Sequence, residues 1–271
     1  MPIRLFLPAM LLAFAAPAAA QGPVMASYRA VYDLSLAGSS DSNSSGVENG
    51  RGRIVLEFTG NACEGYALNF RQVTDLSGGE IGRKVSDTRS TTFEDGDGKT
   101  FRFKSESRHA TGPAEATDGV AERGKERITV TLKKPKAGKL TMALDTAFPT
   151  QHLRELVEKA RAGTGTFARR VYDGSDESKE AYETFAIIGA QKTGTDGLEP
   201  DVVKAGWGSL PRWPVSISFF EPGKTDEPAY IVSYELFDNG FGRALKLDYG
   251  AFAFMGVLTK LEPFDTKPCK K

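Results

Sequence analysis

A period of two runs through this chain from Ser27 almost to its end, and it limits the fold more than any other feature. In SYRAVYDLSL, Tyr28, Ala30, Tyr32 and Leu34 fall on alternate positions. Such alternation turns successive side chains to opposite faces and specifies β-strands. RGRIVLEF and YALNFRQVTDL continue it, and TRSTTFEDGDGKTFRFKSES reads as two arms around an Asp-Gly turn, a strong hairpin signal. RITVTL and KLTMAL follow on either side of KKPKAGK. Then come TGTFARRVYDG, SKEAYETFAIIG, PVSISFF, AYIVSYELF, RALKLDY and AFAFMGVLTKLEPF. Roughly a dozen strands punctuated by Gly, Pro, Asp and Asn predict an all-β, antiparallel, meandering barrel or sandwich.

One segment has a different period. In FPTQHLRELVEKARAG, Leu153, Leu156, Val157 and Ala160 stack on one helical face, predicting an amphipathic helix over residues 150–162. Thr150 is the expected N-cap and Gly163 the expected terminator, with Glu155 and Lys159 four apart on the polar side. Such a helix covers or plugs an open apolar face of a sheet.

The chain begins MPIRLFLPAMLLAFAAPAAAQ. One cation, Arg4, precedes an apolar run from Leu5 to Ala16, and Ala18 and Ala20 fit an A-x-A cleavage site. The run is too short to span a bilayer. A buried N-terminal helix would need a cap and a polar face, and both are missing. Residues 1–20 are therefore expected to be a cleaved secretory signal, leaving residues 21–271 as a single β-barrel domain in the periplasm. No cysteine near the cleavage site supports a lipoprotein, and no later run is long enough for a membrane helix. Cleavage removes Arg4 alone, which leaves 34 of the 35 basic side chains against 35 acidic ones. That balance offers no electrostatic footprint for nucleic acid or an anionic membrane.

The chain has two cysteines, Cys63 and Cys269. Export to an oxidising compartment favours a disulfide between them, which would fasten the C-terminal tail to an early strand. Two free thiols or a catalytic thiol are the alternatives; the latter needs a basic partner, and the chain has two histidines. Neither His109 nor His152 sits in an H-x-x-x-H or H-E-x-x-H pattern, so no metal site is expected. EDGDGK alternates Asp95 and Asp97 as a calcium loop does. Lys99 stands where the third ligand belongs, however, and the glutamate at the twelfth position is missing. No nucleophile elbow, phosphate loop or dinucleotide fingerprint occurs, and no cofactor is expected.

The apolar strands carry more information. Phe252 and Phe254 share one face of GAFAFMGVLTKL, with Ala251, Ala253 and Met255 on the other. Tyr230, Val232, Tyr234 and Leu236 share a face of AYIVSYELF, as do Val215, Ile217 and Phe219 in PVSISFF. Inward aromatics on a curved sheet build either a filled core or a hollow apolar pocket. The candidate pocket residues are Leu153, Leu156, Val157, Phe252, Phe254 and Tyr234. Trp207 and Trp213, in GWGSLPRWP, are expected to pack over a barrel end.

Several of these segments together are similar to the EipB family of periplasmic cell-envelope integrity proteins of alphaproteobacteria, built around a domain formerly of unknown function. They are SYRAVYDLSL, GNACEGYALNF, FPTQHLRELVEKARAG, YDGS, PVSISFFEP and the stretch from AYIVSYELF to the final cysteine. The resemblance implies one antiparallel sheet wound into an open, spiral-like β-barrel of about fourteen strands with a helix near the hollow. It matches Cys63 and Cys269 to the family's disulfide and supplies no catalytic residues. The fold also resembles the envelope lipoprotein carriers, which hold acyl chains in a half-open barrel. A Ser-rich insertion at residues 38–50 departs from the pattern.

The functional expectation is binding without catalysis: an apolar ligand, from a lipid or a lipoprotein acyl chain, or an envelope protein partner. The alternative is an envelope hydrolase using two carboxylates in the barrel cleft, one with a raised pKa. An outer-membrane channel is disfavoured, because FRFKSES and RITVTLKKPK carry charge along the sheet.

Overall fold

The computed structural model describes residues 22–37, 46–79, 81–110, 112–175, 180–224, 226–266 and 269. The signal sequence expected at residues 1–20 and most of the Ser-rich insertion lie outside the described residues.

Fourteen strands form one sheet. They are β1 (Ser27–Leu36), β2 (Asn49–Asn61), β3 (Gly65–Gly78), β4 (Gly82–Glu94), β5 (Thr100–His109), β6 (Glu115–Arg123) and β7 (Ile128–Lys134). After these come β8 (Gly138–Met142), β9 (Thr166–Val171), β10 (Tyr182–Ile188), β11 (Arg212–Phe220), β12 (Tyr230–Phe237), β13 (Gly242–Asp248) and β14 (Ala253–Phe264). The order across the sheet is β8-β7-β6-β5-β4-β3-β2-β1-β14-β13-β12-β11-β10-β9, antiparallel throughout. Sequence neighbours pair everywhere except between β8 and β9, which are the free edges. The non-local pair, β1 with β14, lies at the middle of the sheet.

The link between the two edges contains α1 (Pro149–Arg161). Before the helix begins, Ala147 donates its N–H to Arg170 O at 2.8 Å and accepts from Tyr172 N–H at 3.0 Å, so this linker shields part of the β9 edge. Leu156, Val157 and Ala160 then bury against Trp213, Val215, Ile217 and Leu236 on the inner face of β11 and β12. The helix therefore lies within the coil of the sheet and fills the gap that unpaired edges leave.

Its N-terminus differs from the sequence expectation. The N-cap position is Phe148, and no side chain of the helix's own first turn makes the capping bond. Glu94, from the end of β4, makes it instead: its carboxylate accepts from Thr150 N–H at 2.7 Å and Gln151 N–H at 2.8 Å. Pro149 at the first helical position removes one of the remaining donors. The C-terminus follows the sequence. Gly163 adopts φ 70°, its N–H bonds Ala160 O, and Thr164 N–H bonds Lys159 O, which is a Schellman motif.

Two elements were not visible in the alternation. Strand β6 carries Thr117, Gly119 and Ala121 on its inner face, side chains too small to register as an apolar stripe. The Phe103 ring occupies that space, and a Cβ on Gly119 would come within 2.5 Å of it. The connection from β10 to β11 contains a short helix, α2 (Pro200–Lys204), and one 3-10 turn at Trp207–Ser209. Val202 of α2 is buried in the core, and Asp201 accepts a bond from Leu261 N–H at 3.1 Å. Trp207 packs edge-on to Tyr28 and against Phe241, over one end of the core. Trp213 belongs to β11 and is buried against α1, not set in a connection.

Cys63, in the β2–β3 turn, is bonded to Cys269, with 5.6 Å between the Cα atoms. None of the described helices is long and apolar enough to cross a membrane.

Candidate functional site

The inner faces of β1–β3 and β12–β13 do not meet completely. They leave a cavity of about 430 Å³, closed on one side by Leu153 of α1. Its wall follows from the period of two. Tyr28 and Tyr32 of β1, Ile54 and Leu56 of β2, Phe70 and Gln72 of β3, Val232 and Tyr234 of β12, and Leu245 and Leu247 of β13 all point inward. The alternation slips once, between Ser233 and Glu235, where β13 carries an extra residue opposite Tyr234. Ala244 sits in this bulge at φ 52°, a conformation rare for a residue with a side chain. The bulge turns Arg243 outward, where it pairs with Glu199 at 2.6 Å and with Glu235.

The polar groups of the cavity are few. Tyr32 donates its hydroxyl to Gly242 O at 2.6 Å, and Gln72 hydrogen-bonds Tyr249 at the rim. The hydroxyls of Tyr28 and Tyr234 have no hydrogen-bond partner among the described residues. Burial, reinforced by the neighbouring Tyr234 phenol, pushes the Tyr28 phenol far up; burial alone does the same for Tyr234. Asp248 contributes a carboxylate at the rim, bonded to Lys246 at 3.0 Å and to Gly250 N–H at 3.0 Å. Among the described residues the lining holds no Lys, Arg or His.

Of the six residues the sequence suggested, Leu153 and Tyr234 line the cavity. Leu156 and Val157 lie one helical turn further along, about 5 Å, and are fully buried against β11 and β12. Phe254 is buried in the main core beside Tyr28 and Tyr32. Phe252 packs on Phe254 and on the cavity residue Tyr249, its ring centroid 5.8 Å from the former and 5.3 Å from the latter. The second apolar face of β14 turns out to be external: Met255 and Val257 are 40% and 58% exposed.

A second, wider groove of about 690 Å³ lies on the outer face of β1–β4. Arginines rim it, but each is already engaged. Arg51 and Arg83 both bind Asp75, Arg71 and Arg89 both bind Asp87, and Arg53 binds Asp33. Paired Arg83 and Arg51 hold the Asp75 carboxyl well below the usual range, and Arg71 with Arg89 does so for Asp87. The inner cavity, smaller but apolar, is the better ligand site.

The carboxylate with a raised pKa lies elsewhere. Burial lifts Glu94 to about 7, against the pull of the Thr150 and Gln151 N–H groups and Arg154. It is 3% exposed, occupied as the cap of α1, and outside the cavity wall. Beside it, Arg123 ties Gly98 O, Leu144 O, Thr146 O and Gln151 Oε1 together, and Glu155 binds Arg169 at 2.8 Å. This network anchors the helix to the sheet.

A profile of the EipB-like family matches residues 19–265. The chain belongs to the EipB-like family. Among EipB-like proteins, it is 35% identical over 263 residues to the cell envelope integrity protein EipB of Brucella abortus (strain 2308), covering 93% of this chain and 90% of the relative. A crystal structure from Brucella abortus, described as a beta-barrel-like protein of a domain of unknown function, superposes with a TM-score of 0.81. It is 35% identical, over 90% of this chain and 100% of that one. In this member the EipB-like fold is an open coil of fourteen antiparallel strands.

Proposed function

We propose that this chain supports the integrity of the cell envelope from the periplasm, by holding an apolar chain of a lipid or lipoprotein in the cavity beneath β1–β3 and β12–β13. The observation that carries this reading is the cavity. Its volume of about 430 Å³ falls in the range of small-molecule sites, and its wall is aromatic and aliphatic with a few convergent polar groups. The name of the Brucella relative supports the envelope role. Burial of an acyl chain there would draw on the same apolar transfer energy that folds the core, at about 0.8 kcal/mol per methylene.

The test is native mass spectrometry of protein purified without detergent, alongside solvent extraction and lipid analysis. A co-purifying lipid, or saturable uptake of an added one that Leu245→Trp abolishes, is the expected result. Protein that neither carries nor takes up an apolar ligand would refute the reading.

A further inference from the structure

The chemistry of the cavity wall restricts which apolar chain it accepts. Two depths can be distinguished. Tyr28 and Tyr32 are 5% and 2% exposed and mark the closed end, whereas Tyr249 is 38% exposed and marks the mouth beside Asp248. At the closed end the Tyr32 hydroxyl is committed to Gly242 O. Those of Tyr28 and Tyr234 have no partner in the described protein, so two donors stand ready beside a buried space.

A phenol can donate to a carbonyl, an ether or an alcohol. It cannot neutralise a carboxylate, and among the described residues no cation lines this cavity. A fatty-acid anion inserted head-first would therefore be buried without a counter-charge, which is strongly unfavourable. Inserted tail-first, it would leave its carboxylate at the rim beside that of Asp248, whose Lys246 partner is already bonded. Both orientations penalise the anion. An ester, amide or alcohol meets neither penalty.

Resting on the binding function above, we propose that the cavity is selective for an uncharged single-chain amphiphile: an acyl ester, acyl amide or long-chain alcohol, in preference to a free fatty acid. The size is consistent with one chain.

Displacement of the uncharged fluorophore N-phenyl-1-naphthylamine from the purified protein near neutral pH tests this. The probes are monomyristoylglycerol and myristate, which share a chain and differ in the head. The glycerol ester is expected to displace the fluorophore at about tenfold lower concentration than myristate. The double variant Tyr28→Phe/Tyr234→Phe is expected to weaken the ester by about tenfold and the fluorophore, which has no oxygen acceptor, by less. Asp248→Asn, a rim change away from the core, is expected to improve myristate severalfold relative to the ester. Equal displacement by the two probes overturns the selectivity, and so does an ester affinity indifferent to the double tyrosine variant. If neither the fluorophore nor either probe binds, and no adduct appears in native spectra, the underlying cavity function fails as well. That outcome is distinct from a loss of selectivity.

Discussion

Between pH 4.5 and 6.5 two buried groups at the head of α1 titrate in opposite senses, and the protein should hide both. Glu94 has its carboxyl lifted from 4.5 to about 7, chiefly by burial. Its folded pKa is raised, so its contribution is fully present below pH 4.5 and is lost as pH rises through 7. His152 is 6% exposed and stacked on Phe167. Burial is the main cause lowering it from 6.5 to about 4, with Glu155 opposing and Arg169 assisting. Its folded pKa is depressed, so its contribution is present above pH 6.5 and is lost as pH falls through 4. One proton is worth 1.36 kcal/mol per pH unit, and partial titration reduces each group's effect across this window to about 2 kcal/mol. The signs cancel, and a flat profile is expected for the native protein. Asp75 and Asp87, lowered to about 2, act only at more acid pH. Glu94→Gln keeps one acceptor for the helix and removes one titration, so its stability should climb by about 2 kcal/mol from pH 4.5 to 6.5. His152→Leu should show the mirror image, a fall of about 2 kcal/mol. Urea unfolding followed by tryptophan fluorescence reads both, since Trp213 is buried against the same helix. Variant profiles parallel to the native one would show that these groups do not carry the assigned shifts.

Reducing the Cys63–Cys269 bond should lower the urea midpoint. The chain-entropy limit for a separation of 206 residues is about 5 kcal/mol, and an unchanged midpoint in reducing agent would remove the bond from the account of stability. Gly119→Ala should cost about 1–3 kcal/mol by forcing a methyl into the Phe103 ring, read as a loss in thermal midpoint; a neutral result would mean β6 can retreat. Leu156→Ala should cost about 2–5 kcal/mol because the side chain is fully buried. Leu153→Ala should cost less and instead enlarge the cavity, which ligand-uptake volume in native spectra would register.

The strands were legible because the sheet has one wet face and one packed face, and that contrast is written into alternate residues. Where the contrast fades the reading failed. Thr117, Gly119 and Ala121 are inward yet small, because the neighbouring Phe103 supplies the bulk. The helix stripe was visible, but its cap was not, since Glu94 lies 56 residues upstream of Thr150 and only the coiling of the sheet joins them. The site was legible in outline through Leu153 and Tyr234. Gln72, Asp248 and Tyr249 were not, because a polar residue on a strand looks the same in sequence at a cavity mouth as in open solvent. Tyr28 and Tyr32 read only as one face of a strand. How far a sheet curls decides whether inward aromatics touch each other or enclose space, and that depends on every register at once.

The pairing of β1 with β14 has a consequence for how the molecule comes into being. The first strand off the ribosome must wait for the last, so the two halves of the ribbon can zip locally, hairpin by hairpin, long before their central seam exists. Until the C-terminal strand arrives, the nascent β1 shows a bare backbone flank to its surroundings. The interval between those two events is when this protein most needs a companion.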